Sequence, residues 1–426
     1  SMRRVSPSCL TPVTPGSDGG FTVRFAPNPG DNAFELIASD GTNAASLHGS
    51  IFYGRRIAAG AAHSLYAVDG GLVVWGRNNN GALGDALHAN YDGGHRVSGL
   101  YLPNMHDITW VSCGNNTSVA LRSDGTVLAW GANGDGQLGL GLLEEDGGFD
   151  TTHRNTPHVV PGLSNIVSIA AGYGHVLALR SDGHVLAVGD NTLGQLGQAT
   201  GNLNSIPAVV AGIDDVVQII GGSQHSAALR RDGTVWVWGR NQYGNLGQGT
   251  FDSTPYPKNP TPLQVPGLSN IVMIASGRDH ITALRDDGTV WAWGLGSSAQ
   301  LGQGAATPAN SASPLQVLPL IDVVEVAANG NLNFVRRPDG TVWAWGQGAQ
   351  EALGVGEDDT TNRTVPTQVL LVNGVTDLAA GALHGFAVQA NGQVWGWGWN
   401  SSGTLGGGPS LQNNWAYGEA ILVDLP

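Results

Sequence analysis

Five histidines recur at equivalent positions of an internal repeat, and imidazole is a side chain well suited to binding transition metals. They are His63, His175, His225, His280 and His384, whereas Thr117 and Leu332 take this position in the second and sixth repeats. The ligands of one metal ion must lie about 2.1 Å from it, and equivalent residues of successive repeats are held far apart. We therefore expect each imidazole to bond to the backbone of its own repeat, and we expect no metal and no cofactor.

Aromatic, acidic and further histidine residues are concentrated in long variable segments, over about residues 85–102, 140–156, 248–261, 303–313 and 355–365. Loops on a rigid scaffold are where binding residues gather, and aromatic side chains anchor interfaces. The candidate binding residues of such a loop-rich face are Tyr91, His95, Tyr101, Glu144, Glu145, Phe149, His153, Phe251, Tyr256 and Trp399. Solvated, irregular connections would show the same composition, so this alternative stays open.

Local catalytic signatures are missing from the sequence, which contains no P-loop, His-Glu-x-x-His, Cys-x-x-Cys or Gly-x-Ser-x-Gly motif. Serine, histidine and aspartate are plentiful, but a catalytic triad is defined by geometry and not by abundance. The acidic run 357–359 lacks the ligand spacing of a calcium loop. We therefore predict no catalytic residue, while enzymatic activity stays an open question.

A glycine followed seven and eight positions later by Leu-Gly organises most of the chain. The first glycines are Gly76, Gly131, Gly189, Gly239, Gly294, Gly346 and Gly398, so subtraction gives periods of 50–58 residues. A fixed period of this size indicates one structural unit per repeat.

Each repeat contains signals for about four short strands. Asp-Gly lies between two apolar runs, as at Asp232-Gly233, and this dipeptide is typical of a tight hairpin turn. In the strand 289–293, alternation places Val290 and Ala292 on one face and Trp291 and Trp293 on the other. Both faces are apolar, which favours burial between stacked sheets, and seven radially repeated four-stranded sheets form a β-propeller.

The two ends of the chain differ from the repeat. The last residues, 419–426, resemble the Pro-x-x-Val run that we take to open each repeat, and the first repeat lacks this run. We therefore expect the C-terminal strand to complete the first blade, so that residues 52–426 form a closed ring. Residues 1–51 form a partly flexible N-terminal extension with possible strands at 21–25 and 33–37, which could plug the channel, cover one face or extend a blade edge.

Composition narrows the classes of partner. The net charge is −14 and the only lysine is Lys258, which argues against binding to nucleic acid, since phosphate neutralisation needs clustered cations. No run approaches the roughly 20 apolar residues of a membrane span. No apolar segment of a secretory signal follows Met2-Arg3-Arg4. We expect a monomer without membrane contact, with a cytoplasmic location slightly favoured over secretion, and the preference for arginine over lysine suits a bacterial genome rich in G and C.

The segment from Ile169 to Gly197 carries Ile-Ala-Ala-Gly-x-x-His, Asp-Gly and Gly-Gln-Leu-Gly in a fixed order. This unit resembles the repeat of the regulator of chromosome condensation family. The resemblance covers about residues 52–426 and implies a seven-bladed propeller with a shared closing blade. Members include a nucleotide exchanger for a nuclear GTPase, a plant UV-B photoreceptor and a bacterial β-lactamase inhibitor. The photoreceptor's sensing tryptophans have no counterpart here, because Ala61, Tyr173, Ser223 and Arg278 take their places.

Three functional hypotheses follow. The first is a protein- or peptide-binding scaffold that acts through one loop-rich face. The second is an enzyme whose site, in the channel or on that face, is built from several blades. The third is a carbohydrate-binding propeller that uses exposed aromatic residues.

Overall fold

The computed structural model describes residues 54–426, except 87–93, 144–147, 200, 253–256, 307 and 412–413, together with the strands of residues 1–53. The chain divides into two compact units, Ser1–Arg55 and Arg56–Pro426. The first unit contains one antiparallel sheet in the order β2-β1-β3-β4, and β3 pairs with β4 over their full lengths. Its strands are β1 Met2–Arg4, β2 Leu10–Thr11, β3 Gly30–Ser39 and β4 Ala44–Tyr53. The strand predicted at 33–37 falls inside β3, whereas residues 21–25 lie outside the described residues.

The described part of the second unit forms seven four-stranded antiparallel sheets, each built from four consecutive strands, as the repeat predicted. We call the sheets blades 1–7 and the strands of each blade A to D in chain order. Blade 1 contains β5 Ile57–Ala59, β6 His63–Val68, β7 Gly71–Arg77 and β8 His95–Leu102; blade 2 contains β9 Ile108–Cys113, β10 Thr117–Arg122, β11 Val127–Gly131 and β12 Arg154–Val159. Blade 3 contains β13 Ile166–Ala171, β14 His175–Arg180, β15 Val185–Asp190 and β16 Leu203–Val209; blade 4 contains β17 Val216–Gly221, β18 His225–Arg230, β19 Val235–Gly239 and β20 Leu263–Gln264.

The remaining blades repeat the same order. Blade 5 contains β21 Ile271–Ser276, β22 His280–Arg285, β23 Val290–Leu295 and β24 Asn310–Gln316; blade 6 contains β25 Glu325–Asn329, β26 Leu332–Arg336, β27 Val342–Gly346 and β28 Arg363–Gln368. Blade 7 contains β29 Val375–Ala380, β30 His384–Gln389, β31 Val394–Trp399 and β32 Ala416–Leu422. Short 3-10 turns occur at Asn79–Gly81, Gly304–Ala306, Ala349–Glu351 and Pro409–Leu411. No helix among the described residues has both the length and the apolar character needed to cross a membrane.

The core lies between neighbouring blades, because strand C is apolar on both faces. Val290 and Ala292 of β23 pack towards blade 6, whereas Trp293 and the half-buried Trp291 pack towards blade 4. The predicted alternation is therefore confirmed. One fully buried tryptophan from strand C fills the gap at six of the seven junctions: Trp75, Trp130, Trp238, Trp293, Trp345 and Trp397.

The repeated Gly and Leu-Gly positions each have a structural cause. Gly76 has a φ of 93°, and a Cβ there would lie only 2.4 Å from the carbonyl oxygen of Ala62, so this position requires glycine. The side chain of Asn78 accepts a 2.9 Å hydrogen bond from the backbone N–H of Leu83, which anchors the Leu-Gly turn. The same bond recurs from Leu138, Leu196, Leu246 and Leu405 to Asn133, Asn191, Asn241 and Asn400.

The predicted closure by the C-terminal strand is wrong in its detail. Strand β32 pairs with β31 in blade 7, and blade 1 has its own outer strand, β8. The Pro-x-x-Val run is the outermost strand of a blade and does not open the next repeat, and β8 was missed because its sequence lacks the proline. The ring closes by packing of β29 against β5 and by a 3.1 Å bond from Ala382 N to Gly60 O. The C-terminal tail does reach blade 1, where Gly99 N donates to Asp424 O at 2.9 Å.

Candidate functional site

The strand order separates two faces of the propeller. Strands run A-B-C-D across each sheet, so the A–B and C–D connections emerge at one end and the B–C and D–A connections at the other. We call the first end the loop face; its A–B connections include 114–116, 172–174, 222–224 and 277–279, and its C–D connections include 132–153, 240–262 and 400–415. The second end, the turn face, carries the short Asp-Gly hairpins and the connectors 160–165, 210–215 and 317–324. The long variable segments therefore share one face.

The repeated histidines are structural and lie beneath the loop face. Each begins strand B, and all five are at most 1% exposed. Burial lowers the pKa of His63 and His280 to about 4 and that of His175, His225 and His384 to about 3. They are therefore neutral at pH 7. No three His, Cys, Asp or Glu side chains within the described ranges are arranged to hold a metal ion.

Four of these histidines bond to the next blade, so the expectation of a bond to backbone in the same repeat is wrong. His63 Nε2 lies 3.0 Å from Ser118 Oγ, and Ser118 donates to the carbonyl oxygen of Ala82 at 2.7 Å. His175 and Ser226 repeat this arrangement at 2.9 Å. His280 bonds to Asn333, and His225 bonds to Ser276 on strand A of blade 5. The bonds run between blades because the inner strands of neighbouring blades pack against each other.

These His–Ser pairs do not have the arrangement of a nucleophile and its base. Ser118 and Ser226 each use their hydroxyl hydrogen to donate to a backbone carbonyl, those of Ala82 and Gln195. Each serine oxygen therefore accepts from the imidazole Nε2–H, which is the reverse of the proton transfer that would activate a nucleophile. Both serines are also fully buried. The pairs fasten neighbouring blades to each other.

Residues that differ between repeats mark the loop face above this framework. The residue before the repeated histidine position is Ala62, Asn116, Gly174, Gln224, Asp279, Asn331 or Leu383. The residue after the first repeated glycine is Arg77, Ala132, Asp190, Arg240, Leu295, Gln347 or Trp399. Asp190 and Arg240 from these sets, together with Asp135, Tyr173 and Arg278 from neighbouring positions, line an open cleft of about 320 Å³ over blades 2–5.

One wall of the cleft is acidic. Asp190 is oriented by the backbone N–H of Thr192 at 2.8 Å and by the Gln195 amide at 2.6 Å. Desolvation raises the pKa of Asp135 above its ordinary value, and the nearby charge of Asp190 raises it further. Tyr173 lies in the same cleft, and desolvation raises the pKa of its hydroxyl.

The opposite wall is basic. Arg240 and Arg278 each approach the carboxylate of Asp279 at 3.3 Å, and this carboxylate is almost fully buried. Ser223 donates a further 2.7 Å bond to Asp279. Arg240 also stacks on Tyr243, with its guanidinium carbon 4.9 Å from the ring centre. Two guanidinium groups share one carboxylate, so this wall has a net positive charge.

Large apolar side chains are also exposed on the same face. The C–D connection of blade 2 forms a small hairpin, in which Leu142 pairs with Phe149 and both side chains are exposed. This hairpin is attached to blade 3 by a 3.0 Å bond from Gly141 N to Ser205 O. Phe251 in blade 4 is 50% exposed and Trp415 in blade 7 is 72% exposed. Exposed aromatic residues in loops favour a contact surface for another molecule.

The predicted binding residues do not all lie on the loop face. His95, Phe149, His153, Phe251 and Trp399 belong to the loop face, and His153 accepts a 2.9 Å bond from Asn133 N. Tyr101 lies near the turn face at the far end of β8, where its hydroxyl donates to Gly70 O at 2.6 Å. Tyr91, Glu144, Glu145 and Tyr256 lie outside the described residues.

Sequence reasoning missed the cleft residues and Trp415. The missed cleft residues lie next to repeated motifs and do not themselves recur, so a search for recurring residues passes over them. They are Asp135, Tyr173, Asp190, Arg240 and Arg278. Comparing the positions that do not recur from repeat to repeat would have found most of them.

Comparison with known proteins agrees with the architecture. The family model described as RCC1-like domain matches residues 41–319 and 148–419. The human E3 ubiquitin-protein ligase HERC2 is 29% identical over 361 residues, which cover 83% of this chain but only 6% of that protein's length. The Arabidopsis thaliana ultraviolet-B receptor UVR8 is 28% identical over 361 residues, covering 83% of this chain and 67% of the receptor.

Solved structures show the same fold. Prp20p from Saccharomyces cerevisiae, studied for its binding to Gsp1p and histones, superposes with a TM-score of 0.72 at 24% identity, covering 84% of this chain and 86% of Prp20p.

Proposed function

The chain belongs to the RCC1-like domain family, and from this premise we propose that it is a non-catalytic scaffold that binds a protein or peptide through its loop face. The observation that carries the proposal is that recurring and non-recurring positions of the repeat lie in different parts of the propeller. Recurring residues build the junctions between blades, whereas the charged cleft and the exposed, non-recurring Phe149, Phe251 and Trp415 lie on one face. A rigid frame that presents variable loops is a common basis for binding sites.

The mixture of side chains on the loop face supports a macromolecular partner. Exposed Phe149, Phe251 and Trp415 offer apolar anchors, and the cleft on the same face offers charges of both signs. Interfaces combine such anchors with a polar surround. The printed partners of Prp20p, Gsp1p and histones, are proteins, and the −14 net charge of this chain disfavours a nucleic-acid backbone as its partner.

A photo-cross-linking experiment tests this proposal. A benzoylphenylalanine is introduced in place of Phe251 or Trp415 on the loop face, with Ile321 on the turn face as the matched control. Phe251 and Ile321 are 50% and 56% exposed, so their access to solvent is similar. We expect discrete protein adducts from a lysate of the source organism at the loop-face positions only.

Equal labelling at Ile321, or adducts with small molecules alone, would contradict the proposal. A variant with Leu142 and Phe149 both replaced by serine serves as a second check. It should weaken the adducts at Phe251 without changing the unfolding midpoint, because both side chains are exposed.

A further inference from the structure

We propose that the cleft between blades 2 and 5 binds a peptide segment of the partner that carries an arginine or lysine side chain, with the cation held between Asp135 and Asp190. This inference rests on the proposed function, because it assigns a partner chemistry to one part of the same face. Charge complementarity favours this occupant, since carboxylates and guanidinium groups both line the cleft.

Gly174 lies in the cleft next to the side chains of both Asp135 and Asp190. A Cβ built on Gly174 would lie 3.0 Å from Asp135 Oδ2 and 3.4 Å from Asp190 Cβ. The two acidic side chains therefore stand on either side of a position where other repeats carry a side chain, such as Gln224 or Asp279. Because a Cβ there would contact both side chains, the absence of a side chain at Gly174 is what lets Asp135 and Asp190 lie close together at the edge of the open cleft.

The two carboxylates differ in their bonding. Asp190 is held by Thr192 N and by the Gln195 amide, both neutral donors. The side chain of Asp135 has no hydrogen-bond or ion-pair partner among the described residues, although other loop-face aspartates are paired with arginines, as in Asp85–Arg96 and Asp150–Arg154. Two close carboxylates that are not bonded to a cation repel each other. A guanidinium or ammonium from a partner would relieve this repulsion.

The basic wall sets the direction and length of the ligand. Arg278 is 57% exposed at its side chain and shares Asp279 with Arg240, so its guanidinium retains unused donors that face solvent. A ligand whose cation lies at Asp135 and Asp190 would present its next acidic side chain or carbonyl groups towards Arg278. The cleft therefore fits a peptide in which a basic residue is followed by an acidic one.

Calorimetric titration with synthetic peptides tests the inference on the full chain. The probe is acetyl-Ala-Arg-Ala-Glu-Ala-amide, and its controls carry citrulline in place of arginine or glutamine in place of glutamate. The protein variants are Asp135→Asn and Asp190→Asn, with Asp124→Asn on the turn face as the control, because Asn can keep the turn bond to Thr126 N.

We expect measurable binding of the arginine peptide and a loss of at least about tenfold with citrulline, Asp135→Asn or Asp190→Asn, the scale of one lost charge-assisted bond. Asp124→Asn should bind like the native chain. A smaller loss is expected with the glutamine peptide, since Arg278 is exposed.

Three results would overturn the inference. They are no binding of the peptide at millimolar concentration, binding that is indifferent to both aspartate variants, and equally tight binding of arginine amide alone, which would assign a site for a small cation. Sedimentation is measured alongside, and a dimer lost in Asp190→Asn would assign the cleft to a second copy. Loop-face cross-links at Phe251 that persist after any of these results would leave the proposed function standing without this cleft.

Discussion

Two junctions of the ring are built from the same residue types but are bonded differently. Between blades 1 and 2, His63 bonds to Ser118, and Ser118 and Trp130 both donate to the carbonyl oxygen of Ala82, at 2.7 and 2.9 Å. Every polar side-chain group of this serine and tryptophan is therefore paired. We call this junction the stapled junction.

The closing junction, between blades 7 and 1, has His384, Ser64 and Trp75 at the corresponding positions. Trp75 donates to Thr404 O at 3.0 Å and meets Phe386 edge to face, with ring centres 5.4 Å apart. Both ring nitrogens of His384 and the hydroxyl of Ser64, however, are buried without a protein hydrogen-bond partner among the described residues. Each such group costs about 1–3 kcal/mol.

The comparison shows that closure depends on apolar packing. No strand is shared between the first and last blades, and the hydrogen-bond network that fastens blades 1 and 2 is incomplete where the ring ends meet. We expect the closing junction to open before the stapled one, since local opening starts where fewer stabilising contacts must be broken.

Acid should destabilise the propeller strongly. The buried histidines have folded-state pKa values of about 3 to 4, whereas an unfolded histidine titrates near pH 6.5. The folded chain thus binds fewer protons, so stability is complete above about pH 6.5 and falls as the pH drops towards 4. Each histidine contributes about 1.4 kcal/mol per pH unit in that window.

Urea unfolding between pH 7 and pH 4.5 measures this effect. The slope of the unfolding free energy against pH should approach the value for the uptake of five protons. The contribution of other groups is subtracted by measuring a variant in which the five buried histidines are replaced. Stability that is constant over the window would refute the assignment of neutral, buried imidazoles. Hydrogen exchange at pH 5 should show opening first in β5 and β29.

Replacing a junction tryptophan should have the next largest effect. Trp75→Ala and Trp130→Ala each leave a cavity and should cost about 3–5 kcal/mol of unfolding free energy. Trp75→Ala should in addition raise hydrogen exchange selectively in blades 1 and 7, because Trp75 and Phe386 provide much of the packing there. Exchange that rises equally in all blades would contradict a distinct closing junction.

The fold was predictable to a large extent because the residues that determine it recur in each repeat. The Asp-Gly hairpins, the two apolar faces of strand C and the repeated Leu-Gly turns each depend on local conformation or simple alternation. The position at which one blade ends and the next begins was not predictable in the same way. Whether Pro-x-x-Val ends one blade or begins the next is decided by long-range pairing, such as that of Trp395 with Leu422.

The candidate site was predictable only in outline. That long connections share a face follows from strand alternation, and Phe149 and Phe251 lie in such connections. Tyr101 was misplaced because it lies in a strand that the sequence did not reveal. The cleft combines side chains from four consecutive blades, and their convergence depends on the conformations of non-recurring loop residues, which no repeated motif specifies.

Replacing the repeated histidine should change the free energy of unfolding differently at the two junctions. His63→Leu removes the partner of Ser118 and should cost about 1–3 kcal/mol. His384→Leu removes two unpaired ring nitrogens and should be neutral or stabilising, since Leu332 already occupies this position in blade 6. Chemical denaturation at pH 7 compares the two variants, and an equal loss from both would show that His384 has a partner.

Replacing the serine should give the smallest difference in unfolding free energy between the two junctions, but the one that is easiest to interpret. Ser118→Ala deletes a hydroxyl that links His63 to Ala82 O, leaving the imidazole N–H unpaired, and should cost about 1–2 kcal/mol. Ser64→Ala deletes a hydroxyl without a protein partner and should cost little or raise the unfolding midpoint. Both serines are fully buried in strand B and the change in volume is the same, so packing effects cancel in the comparison. A loss at Ser64 as large as that at Ser118 would mean that a bridging water completes the closing junction, and the two junctions would then be equivalent in strength.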